Sequence, residues 1–587
     1  MAQATHIESI LALDIGSVNT QAVLIARVEG VFRFVARAQQ PTTIEEPWSD
    51  AAIGARHAIE QLGQIAARPL LTEAGDVITP EQPNGSGVDV CVLTSSAAQP
   101  LRLVLAGLVG ELSVDSLRRA AAGTYSWVED VIALLGASRL NDEARARKII
   151  ALQPDAICVA GGADGGAEGP VLDLVETLAL GATLTEPDAR PAIIYAGNSA
   201  LRSKLRALVG SDVPLIVVDG NVRPSLETEN LGPLQAELEA LHTTMKLARI
   251  PGLGTCASWS SVPVLSTARA FGQTVQYLSM LGELKSGARG VDAGAATTTV
   301  AAAFNGQLNL TVRSDIGSAF GGARLLQEVG LGSVARWLPF ELDDGELEAF
   351  VINKELRPLS IPPDSHELLI EQALAREAIR ATLKVARPGW ARPSGARADY
   401  LPPVEPIVGS GAVLARASRP GQAALMLLDA LEPIGVTQLL LDVYGLMSAL
   451  GAAAVSSPLS AVQTIENQGL FLLGTAVVPT GRMRAGEIAL GVKMIYDSGG
   501  EIEVEVAAGT LEVLPLPAGQ SATLELHPRR GMNIGRGAGR GGKPYKIQGG
   551  AVGVIIDARG RPLANALPVD SEERLQRMQQ WLWDVGA

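Results

Sequence analysis

Two short stretches of the chain combine a carboxylate, a glycine and a hydroxyl group at the same spacing. The first contains Asp14, Gly16 and Thr20, and the second contains Asp292, Gly294 and Thr298. In each stretch the aspartate closes an apolar run, and the glycine leaves room for backbone amides to approach an anion. Carboxylates that hold the water shell of Mg²⁺, placed beside backbone amides, suit a bound polyphosphate.

One Asp-x-Gly turn is weak evidence, since glycine after aspartate also marks ordinary hairpins, but two matched copies are stronger. The alternative is that both aspartates only stabilise their turns. The predicted metal-binding residues are Asp14 and Asp292. The predicted phosphate-binding residues are Asp14, Gly16, Ser17, Asn19 and Thr20 in the first stretch, and Gly294, Ala295, Thr297 and Thr298 in the second.

Two further stretches offer groups to the same site. Gly409, Ser410 and Gly411 form a turn between a predicted strand and a predicted helix, which is either part of a nucleotide site or a generic turn. Asp315 follows a strand and is either a ligand or a helix N-cap. Attack by water needs an orienting acceptor, for which Asp292 and Asp315 are the catalytic candidates, with Asp292 preferred.

Composition and charge limit the classes of protein. With 587 residues the chain exceeds one ordinary core, and three to four domains or subdomains are expected. The net charge of −14 argues against a dedicated nucleic-acid binder. The three cysteines have neither disulfide nor zinc-site spacing, which favours a reducing cytoplasm. We expect no signal peptide and no membrane span, because the most apolar segment, 436–455, suits a buried helix better.

The order of apolar runs and glycine turns predicts an α/β protein in several parts. The predicted parts are a first half over 1–287, with an insertion over about 100–285 that is helical from 100 to about 150, a second half over 288–465, a β-rich domain over 466–566 and a terminal helix over 567–587. The Arg/Gly loop 529–546 either binds phosphates or an acidic partner, or is flexible and solvated, which composition alone favours.

Matched hairpins of this kind resemble those of the actin-like ATPases. The resemblance implies a duplicated, ribonuclease H-like ATPase core with a helical insertion and a C-terminal β-rich domain. A narrower set of stretches is similar to the MutL-type accessory proteins of coenzyme-B12-dependent glutamate mutase, which are unrelated to mismatch repair. These stretches include ALDIGSVNTQAVL, LTSSAAQPLRLVLAGLV, DAICVAGGADGG, VDAGAATTTV, VRSDIGSAFG, EPIGVTQLLLDVYGLMSALGAAA and GGAVGVIIDARGRPL.

The chain departs from that family at two places. Thr299 stands where the family's second phosphate motif has an aspartate, so we expect slow hydrolysis of ATP. Gln99 and Pro100 replace a Gly-Gly pair. Because proline lacks an amide donor, the simplest interpretation is that the 94–100 loop has only a structural role.

The resemblance implies ATP and Mg²⁺ as cofactors and a partner protein, by resemblance a cobalamin-dependent mutase. The chain itself lacks the Asp-x-His-x-x-Gly motif of cobalamin binding, which favours an accessory or chaperone-like role over a mutase. The alternative is an actin-like structural or scaffolding protein that assembles with copies of itself and uses ATP as a switch. A small-molecule kinase ranks third, because no sugar-binding constellation is evident.

Overall fold

The computed structural model describes residues 7–135, 140–281, 286–390, 400–565, 567–568 and 570–587. These residues form two compact units. The first unit combines the two ends of the chain, Met1–Ser96 and Gly254–Ala587, and the second unit is Ala97–Leu253.

The first unit begins with a short sheet and one helix. Its elements are β1 (Ser9–Ile15), β2 (Asn19–Val28), β3 (Val31–Pro41), α1 (Ala51–Ile65) and β4 (Val90–Ser95). Strands β1, β2 and β3 form an antiparallel meander, and β4 lies parallel to β1. Because β1 is covered on both faces, its apolar run is nearly continuous, as expected for a central strand.

The second unit is a parallel sheet flanked by helices. Its elements are β5 (Leu101–Val109), α2 (Asp115–Ala122), β6 (Ser126–Leu135), α3 (Asp142–Leu152), β7 (Ala156–Ala160), α4 (Gly169–Thr183), β8 (Ala192–Tyr195), α5 (Arg202–Val209), β9 (Leu215–Val217) and α6 (Gly232–Met245). The strand order is β6-β5-β7-β8-β9, with all neighbours parallel. The helical prediction for 100 to about 150 is therefore wrong for β5 and β6, whose Leu and Ala residues pair in a sheet.

The chain then returns to the first unit for its remaining elements. They are α7 (Leu253–Trp259), β10 (Leu265–Ser266), α8 (Thr267–Leu281), β11 (Ala288–Ala293), β12 (Thr298–Phe304), β13 (Gln307–Arg313), α9 (Gly322–Val329), α10 (Leu331–Ala335), α11 (Asp344–Leu356), α12 (Ser365–Ala386), β14 (Ile407–Ser410), α13 (Ala412–Ala415), α14 (Pro420–Leu431), β15 (Gly435–Leu441), α15 (Leu446–Ser456), α16 (Pro458–Thr464), β16 (Phe471–Val478), β17 (Ile488–Tyr496), β18 (Glu501–Ala507), β19 (Leu511–Leu514), β20 (Ser521–Pro528), β21 (Tyr545–Gln548), β22 (Gly553–Asp557) and α17 (Ser571–Asp584).

Two sheets of the first unit repeat one topology. One has the order β3-β2-β1-β4-β10, and the other contains β13-β12-β11-β14-β15. In both, the first three strands along the chain are antiparallel, and the next two lie parallel to the first. The repeated order confirms the predicted duplicated, actin-like α/β core.

The C-terminal strands divide between two sheets. Strands β16, β22 and β19 continue the second sheet beyond β15, and β18-β17-β20-β21 form a separate antiparallel sheet. The boundaries of a β-rich domain over 466–566 stay a prediction. The helix predicted over 436–455 is wrong in its first part, because 436–441 belongs to β15, and α15 begins only at Leu446.

Small residues let the two halves of the core pack closely. Helices α8 and α15 lie against each other where a Cβ on Gly451 would collide with the backbone carbonyl of Ala270. Thr274 of α8 donates a hydrogen bond to the Met447 carbonyl of α15 at 2.7 Å. The first residue of α8, Thr267, reaches the candidate site. Within the ranges described above, no helix has the length and apolar character needed to cross a bilayer.

Candidate functional site

A cleft of about 590 Å³ in the first unit lies at the carboxyl ends of strands β1, β11 and β14 of the two repeated sheets. Ligands of open α/β sheets commonly bind at such strand ends. Most of the residues that the sequence predicts for the site line this cleft. They are Asp14, Gly16, Ser17, Asn19, Asp292, Gly294, Ala295, Thr297, Ser410 and Gly411.

The two predicted hairpins have the same turn geometry. The Gly16 amide donates to the Asn19 carbonyl at 3.0 Å, and the Gly294 amide donates to the Thr297 carbonyl at 2.9 Å. A Cβ on either glycine would lie 2.9 to 3.0 Å from that same carbonyl oxygen, so the turn needs glycine there. The two glycines therefore leave space in the cleft beside each turn.

Asp14 lies half-buried at the end of β1, where two hydroxyl groups hold its carboxylate. Thr94 of β4 donates to its Oδ1 at 2.7 Å, and Thr267 at the start of α8 donates to the same oxygen at 2.6 Å. Burial raises the pKa of Asp14, and the two hydroxyl donors partly oppose this. The threonines orient the carboxylate, and sequence analysis missed both because they are distant in the chain.

Asp292 is the matching carboxylate at the end of β11. Burial, followed by the negative charges of Asp14 and Asp442, raises its pKa to about 7. A cation in the cleft would relieve this repulsion and lower the pKa of Asp292. The negative charges around Asp292 therefore favour binding of a cation in the cleft.

Asp442 is a third carboxylate of the cleft that sequence analysis did not assign, and unlike Asp14 and Asp292 it is almost fully buried. It follows β15 and accepts hydrogen bonds from the Leu446 and Met447 amides at 2.7 and 3.0 Å, and from the Ser410 hydroxyl at 3.1 Å. Burial raises its pKa, while these donors and Arg37 lower it. An aspartate at the end of an apolar strand was the available signal, the same one that marks Asp14 and Asp292.

The donor set fits a hydrated divalent cation. Asp14 and Asp292 both line the cleft, and hard carboxylate oxygens with room for water are what Mg²⁺ prefers. Over the part of the chain that the structure describes, no group of three acidic, histidine or cysteine side chains converges closely enough to ligate a metal. These residues therefore fit a cation that keeps water or ligand oxygens in its shell.

The turn after β14 forms another part of the wall. Gly411 has φ of +96°, and a Cβ there would collide with the Ala293 carbonyl of β11. The β14 turn is thereby pressed against the end of the second hairpin. Gly409 itself is a buried residue of β14 and does not line the cleft.

Three other predicted residues lie outside the cleft lining. Thr20 and Thr298 are fully buried hairpin residues, paired across their strands with Ile15 and Ala293. Asp315 is held by Arg313 at 2.7 Å and by Arg324 at 2.6 Å. Burial raises the pKa of Asp315, but the hydrogen bonds and charges of both arginines outweigh burial and lower it. Its geometry is that of a structural ion pair.

Beyond the turns, the cleft has charged walls that the sequence does not single out. Lys354 of α11 pairs with Glu371 of α12 at 2.7 Å, and both side chains are largely buried. Arg37 of β3 donates to the Val443 carbonyl at 3.2 Å, and Arg416 donates to Gln39 at 2.9 Å. Both arginines line the cleft and add positive charge near its carboxylates.

The repeated topology and the paired hairpins define a protein of the actin-like ATPase fold. The chain belongs to the MutL protein family, whose family model matches residues 10–468. It is 24% identical over 499 residues to Protein MutL of Clostridium tetanomorphum, and the match covers 78% of this chain and 98% of that protein.

Solved structures give weaker similarities. Component A of (R)-2-hydroxyglutaryl-CoA dehydratase from Acidaminococcus fermentans covers 77% of this chain and 99% of its own at 10% identity, with a TM-score of 0.28. Diol dehydratase-reactivating factor in its nucleotide-free form covers 79% of this chain and 100% of its own at 11% identity, with a TM-score of 0.29.

Proposed function

We propose that the cleft binds ATP with Mg²⁺ and that the protein is an ATP-dependent accessory or chaperone-like factor. The observation that carries the proposal is the pair of equivalent turns, closed at Gly16 and Gly294, that brings Asp14 and Asp292 to one cleft. Mg²⁺ would neutralise phosphate charge when bound. Membership of the MutL protein family supports the proposal.

The residues of this chain divide the work of binding between them. Asp14 and Asp292 would hold the cation, and the threonines that bond Asp14 keep its carboxylate oriented. The Gly16 and Gly294 amides are engaged in closing the turns, so the neighbouring amides of Ser17 and Ala295 and the hydroxyls of Ser17 and Thr297 would face the phosphates. Asp292 is the acceptor that orients the attacking water, while Asp315 is retained only as a structural residue because arginines occupy its carboxylate.

Thr299 has a bearing on the rate of turnover. It is 1% exposed and lies directly opposite Asp292 in the β11/β12 pair, on the same face of the sheet. A hydroxyl cannot accept a proton from water as a carboxylate does. We therefore propose that the protein binds ATP and hydrolyses it slowly, with nucleotide state controlling the opening of the cleft.

The partner enzyme is, by resemblance to the glutamate mutase accessory proteins, a cobalamin-dependent mutase. A pull-down of the full chain from native lysate, with and without ATP and Mg²⁺, tests this role. Recovery of a mutase subunit that depends on nucleotide supports the proposal. Sedimentable filaments of the protein alone, formed on addition of ATP, would instead support the actin-like scaffold.

A further inference from the structure

The Arg/Gly loop 529–546 is an ordered part of the first unit. Met532 and Ile534 point into the core of the C-terminal strands, with 4% and 1% of their surface exposed. Asn533 and Thr480 exchange backbone hydrogen bonds of 2.7 and 2.8 Å. The Asn533 side chain also accepts from the Gly535 and Gly537 amides at 2.9 Å each. These contacts anchor the backbone of residues 532–537, while most of the basic side chains of the loop stay exposed.

The anchoring brings basic residues from separate segments together. A Cβ on Gly481, next to Arg482, would lie 2.5 Å from the Gly531 carbonyl, next to Arg530. A Cβ on Gly539, next to Arg540, would lie 3.8 Å from the Cα of Arg530. Three exposed arginines therefore sit on neighbouring backbone, and Lys543 and Lys546 follow along the same loop. We call this set the basic face: Arg482, Arg530, Arg540, Lys543 and Lys546.

The basic face has no counter-charge of its own. Residues 529–546 contain six basic residues and no acidic residue, in a chain with a net charge of −14. Within the described ranges, none of the five basic-face side chains makes an ion pair or a hydrogen bond. By contrast, Arg529 pairs with Glu505 at 2.7 Å. Concentrating free positive charge on an acidic protein stabilises nothing internally, so it favours an external anionic partner.

We propose that the basic face docks an acidic surface of a partner protein, an inference that rests on the proposed accessory function and names the surface it uses. Arginine forks match carboxylates in a bidentate way. Because the backbone of the loop is already anchored, binding has to order fewer backbone bonds. Single-stranded nucleic acid fits less well, since it needs stacking rings, and the Tyr545 ring is covered by Arg536 at 4.1 Å.

The test uses the full-length protein and two labelled probes, a 20-residue poly-glutamate peptide and a 20-nucleotide single-stranded DNA. Fluorescence anisotropy measures the affinity of each probe at several salt concentrations. We compare Arg530→Glu/Arg540→Glu with the matched control Arg118→Glu/Arg147→Glu, which changes exposed arginines of the second unit by the same charge. Arg530→Ala/Arg540→Ala provides a milder second variant.

We expect poly-glutamate to bind in a salt-dependent way, with affinity lowered about tenfold or more by the charge reversal, less by the alanine variant and under about twofold by the control. Equal effects of the reversal and the control would overturn the proposal, as would DNA binding that is tighter and equally sensitive to the reversal. Mg-ATP affinity is measured on the same samples. Loss of nucleotide binding in wild type would refute the proposed function, whereas an unchanged peptide affinity refutes only the basic face.

Discussion

Asp14 and Asp292 occupy the same position in two hairpins, each two residues before a glycine whose amide closes the turn at 3.0 or 2.9 Å. Their strands end at one cleft, and the negative charge of Asp14 contributes to raising the pKa of Asp292. Two carboxylates that destabilise each other in this way are costly to stability unless a cation joins them. The duplication thus supplies both halves of one proposed cation site.

The Asp315→Asn variant tests which of the two candidate catalytic aspartates, Asp292 or Asp315, acts in the site. The change leaves Arg313 and Arg324 without their shared carboxylate, so we expect a loss of about 1.5–3 kcal/mol in the free energy of unfolding. Mg-ATP affinity should change by less than about twofold, because Asp315 lies outside the cleft lining. Urea unfolding and calorimetry measure the two quantities. A large loss of nucleotide affinity in a folded variant would return Asp315 to the site.

Thr299→Asp tests the proposed cause of slow hydrolysis. The new carboxylate would share a sheet face with Asp292, so we expect the steady-state ATPase rate to rise at least about tenfold. Thr299→Val keeps the shape of the side chain and should leave the rate unchanged. If the aspartate variant folds, binds Mg-ATP and still turns over no faster, Thr299 is not what limits the rate.

Asp442→Asn tests the electrostatic coupling of the cleft. Protons compete with a cation for Asp292, so Mg²⁺ affinity should rise as the pH passes through about 7 in wild type. Removing the charge of Asp442 lowers the pKa of Asp292, and the midpoint of this rise should move to lower pH. Titration of the wild type and the variant with Mg²⁺, from about pH 5.5 to about pH 8.5, measures the midpoint of the rise in each protein. An unmoved midpoint would mean that Asp442 does not act on the site.

His242 gives the second unit a predictable dependence on pH. Its ring is buried, stacks on Tyr125 at 5.4 Å and bonds the Gln99 carbonyl at 3.2 Å. Burial lowers the pKa of His242 to about 4. The folded state then binds fewer protons than the unfolded state between the unfolded pKa of 6.5 and about 4, so stability is full above 6.5 and is lost as the pH falls through this window.

The loss at His242 is on the order of 3 kcal/mol by pH 4. Urea unfolding from pH 7.5 to 4, followed through Trp127 of the second unit in a protein whose other tryptophans are replaced, measures it. His242→Phe retains ring stacking and should flatten the pH dependence. A wild type with no loss of stability below pH 6.5 would contradict this account of the buried ring.

Local sequence patterns predict the turns of the site but not its full set of carboxylates. The Asp-x-Gly hairpins are visible because their geometry depends on residues close in the chain, such as Gly16 and Asn19. Asp442 was hidden, because the apolar run over 436–455 contains both a buried strand and a helix, which periodicity alone does not separate. Lys354 and Glu371 meet only through the packing of two helices.

The same limit explains the error over residues 100 to about 150. The strand β5 has the sequence LRLVLAGLV, rich in good helix formers, and becomes a strand because its neighbours β6 and β7 supply parallel hydrogen-bonding partners. The duplicated core was easier to predict, since its hairpins have turn signals of their own. Elsewhere, hydrogen bonding between strands that are distant in the chain decides whether a segment becomes a strand or a helix.

Calorimetric titration of the wild type with ATP, in the presence of Mg²⁺ and again with the metal chelated, is the most direct test of the proposed site. The wild type should bind Mg-ATP at one site. Asp14→Asn and Asp292→Asn should each weaken binding roughly 10- to 150-fold, which corresponds to about 1.5–3 kcal/mol for a charge-assisted contact. No measurable binding by wild type, or the same metal-dependent affinity in both folded variants, would contradict the proposal that the paired hairpins form a nucleotide site.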